Sequence, residues 1–189
     1  MLAPDRRLPA NAKCVFKGFI FEVWQWKQTM YDGSTQIFEK IRRVDTVEII
    51  PIVGDKILLQ TEEQPDRPAP FLGFPGGRCD ESDDALTEAK RELLEETGYV
   101  SNDWQLWFTH APSGKILWNV FVFVARNCTL KQEPHLDAGE RISTELISFE
   151  DFLLLSDSPK FRDRELISIL LRARLDPAKR EQIRRDLFG

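Results

Sequence analysis

Residues 77–99 of this chain have the sequence GRCDESDDALTEAKRELLEETGY, which predicts a helix over residues 83–97. Ser82 is a favourable N-cap, and the two aspartates that follow it suit the first turn, where acids complement the helix dipole. Gly98 suits the left-handed conformation that ends many helices. An apolar stripe at helical spacing is formed by Ala85, Leu86, Ala89 and Leu93. We therefore expect one face of this helix to pack on the core.

Glutamates cluster on or beside the opposite face of the same helix: Glu88, Glu92, Glu95 and Glu96. Like charges at the i, i+4 spacing destabilise a helix. A divalent cation would reverse that cost, because hard cations bind clustered carboxylate oxygens. The alternative is a solvated acidic face with Lys90 and Arg91 as counter-ions.

The same stretch resembles the Nudix box, written G-x5-E-x7-R-E-U-x-E-E-x-G-U, where U is a bulky apolar residue. The matching positions are Gly77, Arg91, Glu92, Leu93, Glu95, Glu96 and Gly98. Asp83 stands at the first Glu of the box and is one methylene shorter, and Tyr99 stands where an aliphatic residue is commoner. The resemblance implies an α/β fold, a Nudix-type α/β/α sandwich around a mixed β-sheet, with an N-terminal antiparallel β-hairpin.

Composition is compatible with such an enzyme. A chain of 189 residues with 42% apolar content can bury a full core. Its net charge of −5 disfavours non-specific binding to nucleic acid, and no apolar run approaches the length of a membrane span. Three scattered cysteines without metal-ligand spacing indicate a reduced, cytoplasmic protein.

Strand signals precede and follow the box. Residues 15–27 predict one long strand, and residues 35–43 return from an Asp-Gly turn to complete a hairpin. Residues 46–53 and 56–63 predict a second hairpin. Further strands are expected after the box: residues 103–109, residues 115–125, which are nearly all apolar and should be interior, and residues 140–147.

Three helices are expected at the C-terminal end of the chain. Ser148 should cap a helix through Leu155. Ser158-Pro159 and Asp176-Pro177 should each open another, since proline suits the first helical position. Residues 130–139, which are polar and rich in turn formers, predict a mobile loop.

Two domains are expected. Residues 1–44 would form an N-terminal strand hairpin that serves for dimerisation, and residues 45–189 would form the Nudix hydrolase domain, including the C-terminal helices. An isolated hairpin cannot bury two apolar faces, so one face is expected to meet a second subunit. The alternative is a hairpin that folds back on its own domain.

The resemblance implies Mg²⁺ (or Mn²⁺) as cofactor, held by Glu92, Glu95, Glu96 and the carbonyl of Gly76. Such an ion neutralises phosphate charge and activates water for attack at phosphorus. Arg91 cannot act as a base, and its expected role is to hold a neighbouring carboxylate in orientation.

The general base in similar enzymes is a Glu on a loop beyond the box, for which Glu140 is the best positional match. Glu133, His135 and Glu145 are the alternatives.

Features outside the box resemble the ADP-ribose pyrophosphatase branch: the N-terminal hairpin, residues 63–68 and the turn at residues 112–114. The implied substrate is a nucleoside diphosphate linked to another moiety. The leading candidate is ADP-ribose, whose hydrolysis would give AMP and ribose 5-phosphate. Other nucleotide sugars, nucleoside triphosphates and a binding module that has lost its activity are the alternatives.

The same branch implies a homodimer in which N-terminal hairpins exchange. Trp24 and Trp26 would then stack on the nucleobase. Arg43, Arg67 and Arg78 would bind phosphate or ribose through forked hydrogen bonds. His110 is expected to be structural.

Overall fold

The computed structural model describes residues 8–79, 84–112, 114–136, 138–161 and 163–189. Its strands are β1 (Lys13–Lys17), β2 (Glu22–Thr29), β3 (Thr35–Arg42), β4 (Thr46–Val53), β5 (Lys56–Glu63), β6 (Phe71–Gly73), β7 (Tyr99–Val100), β8 (Asp103–His110), β9 (Ile116–Leu117), β10 (Val120–Arg126), β11 (Thr129–Leu130) and β12 (Arg141–Ile147). Its α-helices are α1 (Ala85–Thr97), α2 (Phe149–Leu154), α3 (Arg164–Leu175) and α4 (Pro177–Phe188).

The main sheet has the strand order β12-β5-β4-β10-β8, and β6 pairs with β5. Strand β10 is parallel to β4 and antiparallel to β8, which makes the sheet mixed. Its sequence VFVFVAR is apolar on both faces because both faces are covered. The expectation of one interior strand over residues 115–125 is confirmed only from Val120 onward, because residues 116 and 117 form β9, which pairs with β3 instead.

Helices cover the two faces of this sheet. On one face, Ala89 and Leu93 of α1 pack with Val47 and Ile49 of β4. On the other face, side chains of α2, α3 and α4 pack against the sheet, among them Phe152, Leu166, Leu170, Ile183 and Leu187. The α/β/α sandwich around a mixed sheet is therefore confirmed.

The N-terminal strands form a separate sheet with the order β1-β2-β3-β9. The prediction of a single strand over residues 15–27 is wrong. The chain turns between β1 and β2, where the amide of Gly18 donates to the carbonyl of Phe21 at 2.8 Å. Strand β9 joins this sheet in parallel to β3, through Ile41 and Ile116. The division at residue 44 stays a prediction.

The box helix begins two residues later than expected. Asp84 is its N-cap rather than a first-turn residue, and its carboxylate accepts from the amides of Leu86 and Thr87 at 2.9 and 3.0 Å. Ser82 and Asp83 lie outside the described residues. Gly98 ends the helix at φ 75° in the left-handed region, as expected.

Two of the three helix starts predicted for the C-terminal end are confirmed. Ser148 forms a capping box with Asp151, and Asp176 caps α4. The helix expected at Ser158-Pro159 starts instead after Asp163, whose carboxylate accepts from the amide of Leu166. Phe161 is buried, and the centre of its ring lies 5.9 Å from that of Phe74. This contact holds the residues just before Phe161 in a turn, so no helix begins at Ser158-Pro159.

Within the described ranges, no helix is long and apolar enough to cross a bilayer. The three cysteines, all of them in described parts of the chain, form no disulfide.

Candidate active site

Three of the four glutamates of α1 have side chains that are largely buried. Glu88 is 0% exposed and Glu96 is 8% exposed. The side chain of Glu92 is 12% exposed, and that of Glu95 is 42% exposed. The alternative of a solvated acidic face is therefore wrong for all but Glu95.

The guanidinium of Arg91 joins three of these carboxylates. Its Nε donates to Oε1 of Glu88 at 3.0 Å, and its Nη2 donates to the same carboxylate and to Glu92 at 2.7 Å. Its Nη1 donates to Glu95. The hydrogen bonds to Glu88 raise the pKa of Arg91, which is therefore a permanent cation. These contacts are the kind expected of a residue that orients neighbouring carboxylates, and its part in the reaction stays a prediction.

Glu96 is held by two donors from the main sheet and the loop before the box. The side-chain amide of Gln60 donates to Oε2 at 2.9 Å, and the backbone amide of Gly76 donates to the same oxygen at 3.2 Å. Gln60 is 1% exposed. Gln60 belongs to no recognised motif. The sequence indicated it only as a polar residue that directly follows the apolar run of β5.

The loop before α1 runs along β4. The amides of Val47 and Ile49 donate to the carbonyls of Gly77 and Pro75 at 2.9 and 2.8 Å. A Cβ on Gly77 would come within 1.9 Å of Oε1 of Glu92, so only glycine allows this backbone to lie against that carboxylate. The backbone at Gly76 lies equally close to β4, since a Cβ there would come within 2.3 Å of the carbonyl of Val47.

Two of the clustered carboxyl groups carry strongly raised pKa values. Burial raises the pKa of Glu92 to about 7; Arg91 opposes that shift, and the charges of Glu88, Glu95 and Glu140 add to it. Burial also raises the pKa of Glu96 to about 8, with the hydrogen bond from Gln60 opposing it. Without a cation, a large part of each group is therefore protonated and uncharged at neutral pH.

The donor set fits a hard divalent cation, since it consists of closely spaced carboxyl oxygens that a cation would keep ionised. In the observed side-chain conformations, the described residues include no group of three or more Asp, Glu, His or Cys side chains placed so that they could hold a metal ion. Arg91 lies among Glu88, Glu92 and Glu95 instead. An ion at Glu92 and Glu95 would therefore compete with Arg91 for the same oxygens.

Among the candidates for the general base, Glu140 is the one whose charge acts on the carboxyl groups of the cluster. Its charge raises the pKa of Glu92, Glu96 and Glu62. Glu133 and His135 are exposed on the loop after β11, and Glu145 is exposed on β12. The role of Glu140 stays a prediction.

A cavity of about 530 Å³ lies at the loop before α1, where both Gly76 and Gly77 line it. None of the α1 glutamates is among its described lining residues. Arg43, Arg67 and Arg78, all predicted to bind substrate, are also on its wall. Each of these guanidiniums stacks on an aromatic ring: Arg43 on Trp118 at 4.4 Å, Arg67 on Phe71 at 4.4 Å and Arg78 on Phe19 at 5.3 Å. The structure thus brings the three arginines together near the box.

The predicted stacking residues Trp24 and Trp26 are not among the described residues that line this cavity. Trp26 is buried beside Phe38 in the N-terminal sheet, and Trp24 donates its Nε1 to Glu22. A role in stacking would need a second subunit and stays a prediction.

Comparison with known proteins identifies the family. The NUDIX domain model matches residues 42–168. A curated relative, the ADP compounds hydrolase NudE of Escherichia coli (strain K12), is 30% identical over 95 residues, which are 49% of this chain and 51% of the relative. The aligned region thus spans about half the length of that relative.

A solved structure described as the crystal structure of an ADP compounds hydrolase superposes with a TM-score of 0.75 at 23% identity. The superposition covers 93% of this chain and 95% of the other, and it shows a shared fold. With the family match extending over the box, the sheet and the start of α3, this chain belongs to the NUDIX family.

Proposed function

We propose that this chain is a hydrolase that depends on Mg²⁺ (or Mn²⁺) and cleaves the pyrophosphate bond of a nucleoside diphosphate linked to another moiety. ADP-ribose is the leading substrate, with AMP and ribose 5-phosphate as products. The observation that carries this proposal is that Gly76 and Gly77, which line the cavity, also lie against the carboxylates of Glu96 and Glu92. The two relatives named for ADP compounds support the choice of substrate class.

Each part of the site has a role in this proposal. Glu92, Glu95 and Glu96, with the carbonyl of Gly76, would hold the cation, which supplies charge neutralisation and an activated water. Arg91 orients Glu92 and Glu95, to which it already donates. Glu140 removes the proton from the attacking water, a role for which a carboxylate beside the cluster is suited.

The cavity would receive the substrate. Arg43, Arg67 and Arg78 present cationic, forked donors that suit phosphate oxygens. Their aromatic partners hold each guanidinium flat, which reduces the entropy lost when a ligand binds.

A homodimer through the N-terminal strands is part of the same proposal. Exposed apolar side chains are concentrated there: Val15, Phe16, Phe19, Ile20, Phe21, Ile37 and Ile41. Phe19 is 90% exposed, and exposed apolar side chains concentrated in one sheet favour an interface with another subunit. In such a dimer Trp24 and Trp26 would lie near the partner's cavity and stack on the nucleobase. Reduced cysteines are consistent with a cytoplasmic location.

A substrate panel tests this proposal. Purified protein with Mg²⁺ is incubated with ADP-ribose, other nucleotide sugars and nucleoside triphosphates, and products are separated by ion-exchange chromatography. AMP and ribose 5-phosphate from ADP-ribose support the proposal. A folded protein that turns over no member of the panel would overturn it.

A nucleotide-binding module without activity is the second candidate. It is favoured by the arrangement of Arg91, which occupies the carboxylate oxygens that a cation needs. Calorimetric titration with ADP-ribose separates the two: a pure binder would bind the nucleotide equally well with and without Mg²⁺.

A further inference from the structure

The carboxylate of Glu88 is buried, and only one of its two oxygens is hydrogen-bonded. Residue 88 occupies an unspecified position of the box, between its first acidic residue and Arg91, yet Glu88 is 0% exposed. Its Oε1 accepts from both Nε and Nη2 of Arg91. Its Oε2 is also buried and has no hydrogen-bond partner among the described residues. Native structures rarely leave a buried carboxylate oxygen unpaired without a reason, because doing so is costly.

The three carboxylates that Arg91 contacts differ in how much they depend on it. Glu95 is partly exposed, so water can replace Arg91 as its partner. Glu88 has no solvent contact, and within the described ranges its only ion pair is with Arg91. The hydrogen bonds to Glu88 are also the largest cause of the raised pKa of Arg91. The contact between Arg91 and Glu88 is therefore the one that the fold has to keep, since a buried carboxylate without a cation strongly destabilises a protein.

Metal binding at Glu92 and Glu95 requires oxygens that Arg91 now contacts. Arg91 must then release both carboxylates. Its Nη1 can turn to water, because the Arg91 side chain is 42% exposed, but its Nη2 needs a new acceptor. The unpaired Oε2 of Glu88 offers one on the carboxylate that Arg91 already holds. A guanidinium pairs most strongly with both oxygens of one carboxylate, and the terminal torsion of a glutamate rotates over a broad range.

We propose that Glu88 is a positioning residue that retains Arg91 when the metal binds. Arg91 would transfer from Glu92 and Glu95 to both oxygens of Glu88, which frees the first two carboxylates to act as ligands. This inference rests on the proposed function and adds to it how the metal site becomes available. It accounts for a buried acid at an unspecified position of the box and for its unpaired oxygen.

A double-mutant cycle on Mn²⁺ affinity, measured by electron paramagnetic resonance, tests this role without turnover. Glu88→Gln removes the charge that retains Arg91, so Arg91 stays on Glu92 and Glu95, and the affinity for Mn²⁺ should fall about tenfold. Arg91→Met removes the guanidinium that blocks these oxygens. In that background Glu88→Gln should change the affinity by less than about twofold, because nothing is left to retain.

The cycle separates a role through Arg91 from a simple effect of charge. An equal loss of affinity in both backgrounds would mean that Glu88 acts by its own charge, and this would overturn the proposal. No loss in the background that keeps Arg91 would overturn it too. Lys90→Ala is the control on the same helix, because Lys90 is exposed, and it should leave the affinity within about twofold.

A crystal structure of the unmodified protein with bound Mn²⁺ tests the rearrangement even if the double variant does not fold. Arg91 should donate to both carboxylate oxygens of Glu88 and to neither Glu92 nor Glu95. An Arg91 still bonded to Glu92 or Glu95 beside the bound ion would overturn the proposal. The proposed function fails separately, when the protein shows this rearrangement but hydrolyses no member of the substrate panel.

Discussion

The backbone of Gly77 lies directly against the carboxylate of Glu92, and a Cβ on Gly77 would come within 1.9 Å of Oε1. The obstructing atom is the end of a flexible side chain, so an added methyl group would push the carboxylate aside rather than disrupt the backbone. Position 77 therefore controls where one candidate metal ligand points.

Gly77→Ala should consequently weaken metal binding more than it weakens the fold. We expect the apparent affinity for Mg²⁺, measured from the metal dependence of turnover, to fall by about tenfold or more, as changes to groups that orient metal ligands do. Gly114→Ala is the control, because nothing lies within 4 Å of a Cβ at that position. An unchanged metal dependence in Gly77→Ala would show that Glu92 is not a ligand.

Arg91→Lys tests whether the forked guanidinium orients the cluster. Lysine keeps the charge but cannot reach Glu88, Glu92 and Glu95 at once, because it offers a single ammonium group. We expect kcat to fall at least about tenfold and thermal stability to drop, since the buried Glu88 loses most of its compensation.

The neighbouring Lys90 is exposed and provides the comparison for Arg91. Lys90→Ala should leave kcat and the melting temperature nearly unchanged. Equal effects of the two substitutions would mean that only the net charge of α1 matters.

The stability of the metal-free protein should fall as pH rises. The pKa values of Glu92 and Glu96 are about 7 and about 8 in the folded protein, against 4.5 as the ordinary value. Between pH 4.5 and 8 the folded state therefore holds protons that the unfolded chain has released, so raising the pH favours unfolding. One unit of pKa difference corresponds to about 1.4 kcal/mol, so the two groups together should cost roughly 4–6 kcal/mol of folding stability between pH 5.5 and 8.5.

Urea denaturation at the two pH values measures this loss. Glu96→Gln should make the pH dependence shallower, because the amide does not titrate, and Mg²⁺ should restore stability more at pH 8.5 than at pH 5.5. A metal-free protein that becomes more stable as pH rises through this window would contradict the raised pKa values.

Glu140→Gln tests the proposed general base. The charge of Glu140 acts on both Glu92 and Glu96, which places it beside the cluster. Its removal should lower kcat by about 10²- to 10⁴-fold, the contribution typical of general base catalysis, with little change in KM. Glu133→Gln, in the exposed loop before it, should retain nearly full activity. A large loss in Glu133→Gln alone would transfer the role to that residue.

Elements that depend only on residues close to them in the sequence could be predicted. The box helix, its Gly98 terminus and the caps at Ser148 and Asp176 follow from neighbouring residues. The start of α3 did not, because Ser158-Pro159 and Asp163 are both plausible caps and the burial of Phe161 decides between them.

Features that depend on tertiary contacts could not be read from the sequence. Glu48 and Asp163 are far apart in the sequence but line the same cavity, and Gln60 meets Glu96 only after β5 and α1 have packed. The break between β1 and β2 was hidden by a run of apolar residues that favours strand throughout. The pairing of His110 with Val120 and its place beside the cavity are likewise products of the fold.

Binding of Mn²⁺ measured by electron paramagnetic resonance tests the central claim most directly, namely that the buried carboxylates of α1 hold a divalent cation. At pH 8 the unmodified protein should bind the ion stoichiometrically, and Glu96→Gln should bind it at least about tenfold more weakly while keeping its fold. Equal binding by the two proteins, or no binding by either in the presence of ADP-ribose, would contradict the claim.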